Sequence, residues 1–174
     1  PIQRQLAGIV TIYQEFNLLP HMSVAENMYL GREPLVAGLI HWKRMYGDAK
    51  RIIDDLGLDL DPLTEVRSLS VAQQQMVEIA KALTLNAKLI IMDEPTAALS
   101  GREVENLHSI VKDLRTKGIS VIYVTHRLRE VKEVCDRYTV FRDGKFVARG
   151  EVVEIDMRGM VRLMVGRDVE VLKR

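Results

Sequence analysis

Apolar and polar positions along this chain follow two rhythms. Three short stretches are apolar and β-branched almost without interruption: AGIVTIY at 7–13, LIIMD at 89–93 and ISVIYVT at 119–125. Runs of this kind predict strands buried on both faces, as in a parallel sheet. Between them, apolar residues recur every three or four positions. Trp42, Met45, Tyr46, Ala49, Ile52, Ile53 and Leu56 predict one helix, stopped by Gly57. Met76, Val77, Ile79, Ala80 and Leu83 predict a second inner face, and Val104, Leu107, Ile110, Val111 and Leu114 a third that runs to Gly118. Helix starts are written as capping boxes at Ser23 with Glu26, Ser70 with Gln73, and Ser100 with Glu103.

Strand 89–93, a helix of about 15 residues and strand 119–125 form a βαβ unit, whose crossover is right-handed in nearly all such cases. The helix after Ser23 should end at Gly31, and 59–67 is a polar connector containing Pro62. After 125, a helix runs through Leu128, Val131 and Val134. Strands 138–141 and 145–148 then flank Asp143-Gly144, a hairpin signal, and Ile155 to Val165 has the spacing of an amphipathic helix. The fold class expected is α/β, a parallel-stranded core interrupted by a helical segment of about 70 residues and followed by a hairpin and a helix.

Polar groups collect where the strands end. Gln14 follows the first strand, Asp93 and Glu94 close the second, and His126 lies just past the third. Open α/β sheets bind ligands at the carboxyl ends of their strands, so this shared edge is the candidate site. Pro95 cannot continue a ladder and turns the chain out of the sheet. His21, His41 and His108 join no constellation and read as surface residues, Cys135 reads as core, and the methionines read as packing.

Composition adds exclusions. The chain has 174 residues, 47% hydrophobic and 28% charged, with a formal net charge of +1, so no bulk field points to nucleic acid or a membrane. A single cysteine excludes an internal disulfide framework. No apolar run approaches the roughly 18 residues of a membrane span, and the amino end lacks a signal-peptide layout. A cytoplasmic protein is the expectation.

The edge residues and their surroundings resemble the ATP-binding cassette (ABC) ATPases. IYQEFNLLPHMSVAENMYLGRE is similar to the Q-loop region, LSVAQQQMVEIAKAL to the signature motif and its helix, LIIMDEPTAALS to the Walker B strand and D-loop, and VIYVTHRLREV to the switch-histidine segment. Within the family the first two stretches most resemble importers of ribose, galactose, xylose and arabinose. VTHRLREV, DRYTVFRDGK and MVGRDV resemble the first of the two cassettes that such chains carry.

The resemblance implies a partial P-loop NTPase (RecA-like) core acting on ATP with Mg2+. Residues 1–14 would be the end of its first part, 15–88 a helical subdomain, 89–153 its second part and 154–174 a carboxyl-terminal helix and linker. By resemblance, Asp93 holds Mg2+ through water, and Glu94 polarises the attacking water. Gln14 touches metal and water, and His126 contacts the γ-phosphate. Ser70, Val71, Ala72 and Gln73 face the nucleotide of a second ATP-binding cassette, in the same chain or a dimer. Transmembrane permease subunits and, indirectly, a periplasmic or extracellular sugar-binding protein are the implied partners, with no nucleic acid. The implied place is the inner face of the cell membrane. Ser70 and Gln73 would be written the same way for a capping box alone.

Three departures stand out. No G-x-x-x-x-G-K-[ST] occurs, since Gly144-Lys145 is followed by Phe146. The expectation is therefore a cassette cut after its Walker A helix, with a sheet neighbour missing, apolar edge surface uncovered and little or no ATPase activity alone. Val71 and Ala72 replace the usual paired glycines, which restricts close backbone approach to phosphate. Ser100 stands where many cassettes have the D-loop aspartate. Two alternatives remain: a nucleotide-independent module that docks a permease or regulator, and an ABC-type DNA-repair ATPase. Against the latter, only about 55 residues separate Gln14 from Leu69, without the sustained heptads of a coiled coil.

Overall fold

The computed structural model describes residues 7–166. The ends of the expected 1–14 and 154–174 segments, with Arg167, Asp168 and Val169 of the MVGRDV stretch, lie outside the described residues. The chain divides into two compact units, Pro1–Val124 and Thr125–Arg174.

The first unit holds a three-stranded parallel sheet, β1 (Ile9–Ile12), β4 (Leu89–Asp93) and β5 (Ser120–Val124), with β4 in the middle. Register pairs Ile12 with Met92 and Met92 with Tyr123, so the same-face rows are Val10, Ile90, Val121 and Ile12, Met92, Tyr123. Ile12, Ile90 and Met92 on that face are fully buried. The expectation of strands buried on both faces is corrected here. Leu89 and Ile91 are only half-buried, and Ile122 and Val124 are 48% and 46% exposed. An unbroken apolar run reports that a strand could be covered twice; a layer on the second side must still be present. Among the described residues, apolar side chains on this face of the sheet stay accessible.

Between β1 and β4 the chain builds α1 (Val24–Tyr29), a hairpin of β2 (Leu35–Val36) and β3 (Leu39–Ile40), α2 (Trp42–Asp55) and α3 (Val71–Thr84). Capping boxes start α1 at Ser23 and α3 at Ser70. The helices pack on one another through Val24, Ala25 and Met28 of α1, Met45, Ala49 and Ile53 of α2, and Val77 and Ala80 of α3, all fully buried. Arg32 closes the open end of α1 by donating to the carbonyls of Met28 (2.9 Å) and Thr84 (3.1 Å). The polar connector is an ordered strap. Thr64 and Pro62 carbonyls accept the first-turn amides of Val24 and Ala25 at 2.9 and 3.0 Å, and Val66–Ser68 forms a 3₁₀ turn that buries Val66.

The β2–β3 hairpin was not expected from the sequence pattern. Ala37 and Gly38 both have positive φ, 51° and 81°, as a two-residue primed turn needs. An Ala-Gly pair is a weaker turn signal than Asn-Gly, and two-residue strands carry no readable alternation.

Helix α4 (Gly101–Thr116) returns the chain from β4 to β5 and buries Leu107, Ile110, Val111 and Leu114. His108 corrects its surface assignment: it is 4% exposed, edge-on to Tyr123 at 6.3 Å. It lies three residues before the buried Val111 and so shares that helical face, and helical phase decides its burial. His41 caps α2, its Nδ1 accepting the Arg44 amide at 3.1 Å.

The second unit consists of α5 (Leu128–Val134), the antiparallel hairpin of β6 (Arg137–Arg142) and β7 (Lys145–Glu151), and α6 (Met157–Val165). Asp143 and Gly144 have φ of 51° and 72°, the conformation the Asp-Gly pair predicts. Cys135 is not deep core. It is half-buried at the carboxyl cap of α5, and burial, then Asp136 and Glu130, pushes its thiol up to about 11.

Candidate active site

Register gathers the first three candidate residues. β1 and β4 run parallel and end together, so Gln14, Asp93 and Glu94 all emerge at the carboxyl edge of the sheet. Asp93 is the exposed last residue of β4. The reversal begins at Glu94 itself, whose φ is +44°. Left-handed backbone at a non-glycine residue costs of order 1–3 kcal/mol and persists only when its surroundings fix it. Here the Glu94 amide donates to the Val124 carbonyl of β5 at 2.9 Å, and Pro95 and Thr96 are buried directly after. Two further turns follow, Ala97 N–H to Glu94 O at 3.1 Å and Leu99 N–H to Thr96 O at 3.2 Å. Glu94 is therefore held by backbone on both sides. A carboxylate set in this way loses little entropy when it positions a water.

A cavity of about 330 Å³ opens beside this turn, lined by Gln14, Glu15, Val71, Gln75, Glu94 and Pro95 among others. Of the signature residues, Val71 reaches this cavity; Ser70, Ala72 and Gln73 are not among its lining residues. The Ser70–Gln73 capping box is closed. Ser70 Oγ accepts the Gln73 amide at 3.2 Å, and Gln73 Oε1 accepts the Ser70 amide at 2.9 Å. Those two donors are occupied, which leaves the Val71 and Ala72 amides at the positive end of α3 without an intrahelical acceptor.

His126 is the second residue of the second unit and is exposed. Beside it, Arg127 donates its backbone N–H to Thr125 Oγ1 at 2.9 Å, and Arg127 meets the buried Glu130 at 3.5 Å.

Three residues in the first unit escaped the sequence reading. Asn27 is fully buried and holds the segment after β1, accepting the Leu19 amide at 2.7 Å and donating to the carbonyls of Leu19, Met22 and Ser23. Glu78 accepts the Asn17 amide at 2.9 Å. Gln75 is buried on the cavity wall. The available signal was polar residues set at apolar phase on α1 and α3.

Among the described residues no group of three or more His, Cys, Asp or Glu side chains could hold a metal by itself. A hard cation such as Mg2+ takes one or two carboxylates and keeps several waters. Asp93 supplies an exposed hard oxygen, and Gln14 an amide oxygen, at one edge.

This is the α/β architecture of a nucleotide-binding cassette core, and the comparisons agree. The ABC transporter family model matches residues 1–97, and the chain belongs to that family. It is 49% identical to the ribose import ATP-binding protein RbsA of Chromobacterium violaceum, over 95% of this chain and 33% of that protein. It is 45% identical to the xylose import ATP-binding protein XylG of Geobacillus kaustophilus, over 98% of this chain and 34% of that protein. The chain thus spans about a third of the length of the relatives it matches. A solved ATP-binding cassette of an ABC transporter in its ADP conformation superposes with a TM-score of 0.75 at 27% identity, covering 96% of this chain and 72% of that one. A nucleotide-free cassette gives 0.72 at 26% identity, covering 92% and 70%.

Proposed function

We propose that this chain is part of the ATP-hydrolysing subunit that energises sugar import, with Asp93, Glu94, Gln14 and His126 as its cleavage machinery. The observation that carries the reading is the convergence of Gln14, Asp93 and Glu94 on one sheet edge, next to a cavity that Gln14 and Glu94 line, in a chain whose relatives are named for ribose and xylose import. Glu94 orients and polarises the attacking water. Asp93 would help hold Mg2+, and the bound ion would supply charge neutralisation on the transferring phosphoryl group. Gln14 reports the state of that site to the helical segment 15–88 that follows it. His126 contacts the γ-phosphate. The Val71 and Ala72 amides, at the amino end of α3, offer an anion site to nucleotide held by a second cassette. Side chains in place of glycine keep that approach longer and weaker.

Transmembrane permease subunits are the proposed partners, with a sugar-binding protein acting through them at the far side. Support comes from the β2–β3 hairpin, where Leu35, Val36 and Leu39 are 60%, 55% and 75% exposed beside Trp42. Contiguous apolar surface on a small domain marks an interaction site. The same patch favours the second reading, docking that needs no nucleotide. No helix among the described residues is long and apolar enough to cross a membrane, so contact with the inner face of the membrane would run through those partners.

The test is phosphate release at saturating Mg-ATP. The 174-residue chain alone, which carries no phosphate-loop motif, should release none above a Glu94→Gln control. Assembled with permease, Glu94→Gln should lower turnover by about 10²–10⁴, the usual worth of a positioned acid–base group. Unchanged turnover in that variant would remove Glu94 from the mechanism. Permease retention without nucleotide, unaffected by Glu94→Gln and abolished by Leu39→Glu, would favour the docking reading.

A further inference from the structure

Helix α3 meets the segment leaving β1 along a single stripe. Gln75, Glu78 and Lys81 are spaced by three and therefore stack on one helical face. Two of the three already hold that segment at Asn17. Glu78 Oε1 accepts its amide at 2.9 Å, and Lys81 Nζ donates to its carbonyl at 3.2 Å. The third, Gln75, is 4% exposed, lines the cavity with Gln14 and Glu94, and has no hydrogen-bond partner for Nε2 among the described residues.

A buried amide donor without a partner is rare in folded proteins. The cavity, about 330 Å³, has room for several waters at about 30 Å³ each, and Gln14, Glu15 and Glu94 join Gln75 in setting polar groups in its otherwise apolar wall. Its other walls include Gln14 and Glu15, three and two residues before the point that Glu78 and Lys81 grip. We propose that Gln75 is a positioning residue: its Nε2 donates to an ordered water that bridges α3 to the 14–16 segment, completing a three-rung clamp from the signature helix to the loop that carries Gln14. The clamp makes the orientation of Gln14 depend on α3. Its consequence for turnover rests on the roles proposed above for Gln14 and Glu94.

Amide hydrogen exchange on the full chain tests the clamp. In Gln75→Leu, and in Gln75→Glu at neutral pH where the donor is lost, exchange of the Asn17 amide, which Glu78 holds, should quicken at least tenfold. Amides of Ile90 and Met92 in the sheet should be unchanged. Gln75→Asn keeps the donor, and a bridging water can span the missing methylene, so it should keep most of the protection. Unchanged exchange at Asn17 in Gln75→Leu would overturn the proposal, and so would an equal loss of protection throughout α3 and the sheet. In the assembled transporter Gln75→Leu should lower kcat about tenfold with KM for ATP held; a raised KM at constant kcat would also count against it. Normal turnover in Glu94→Gln would sink the catalytic reading alone, and the exchange result would still decide Gln75.

Discussion

Asn27 offers a sharp test of how the segment after Gln14 is held. Its carboxamide accepts the Leu19 amide and donates to three carbonyls, Leu19, Met22 and Ser23, at 2.7 to 3.3 Å. Each of those carbonyls has a second donor: Met22 N–H for Leu19, Val66 N–H for Met22 and Asn27 N–H for Ser23. Asn27→Ala therefore orphans one group fully, the Leu19 amide. An unsatisfied part-buried donor costs about 1–3 kcal/mol, so a loss of about 2 kcal/mol is expected. With a urea slope of about 2 kcal/mol per M, the denaturation midpoint should fall by about 1 M. Asn27→Asp keeps the acceptor for Leu19 but turns a carboxylate oxygen toward three carbonyls. That disfavours its charged form, so its folded pKa is raised above the unfolded value of about 3.9. Stability is then fully present below the unfolded pKa and is lost as pH rises through the folded one. The aspartate variant should be less stable at pH 8 than at pH 5, relative to the parent, while the alanine variant shows no such trend. Urea melts followed by far-UV circular dichroism at both pH values decide it. A midpoint shift under about 0.25 M for Asn27→Ala, or the same pH profile for both variants, would refute the reasoning.

Two further outcomes follow from titratable groups. Glu103 accepts the Ser100 hydroxyl at 2.7 Å and its amide at 2.8 Å, and these bonds hold its carboxyl below the ordinary carboxylate value. Its contribution to the start of α4 is present above that ordinary value and fades as pH falls through the depressed one; Ser100→Ala removes the hydroxyl, the larger cause, but keeps the amide, and should bring the carboxyl only part of the way back to normal in a carbon-13 titration. Cys135, raised to about 11 from 9.0 by burial and then by Asp136 and Glu130, should carry about a hundredfold less thiolate at pH 8. Iodoacetamide labelling should be slow until urea unfolds the second unit, and fast labelling in the native protein would contradict its half-buried position.

The chain alone determined the order and type of nearly all its elements, because strand runs, helical periodicity and capping boxes are local codes. Three uninterrupted apolar runs, three S-x-x-E/Q starts and the Asp-Gly turn fall where the strands, helices and carboxyl-terminal hairpin form. Four family motifs in order likewise placed Gln14, Asp93, Glu94 and His126 at element ends. Tertiary structure decided what local codes do not carry. Burial of His108 and Asn27 depends on which neighbour each helix face meets. The exposure of Ile122 and Val124 depends on what packs against that face of the sheet, which an apolar run does not report. The left-handed turn at Glu94 exists because the Val124 carbonyl and a buried Pro95 hold it, and no propensity of glutamate would predict it. Long-range register brings Gln75 to the cavity beside Gln14 and Glu94, residues that lie far apart in the chain. A local pattern can specify which way a side chain points on its own helix or strand; what it points at is set by packing.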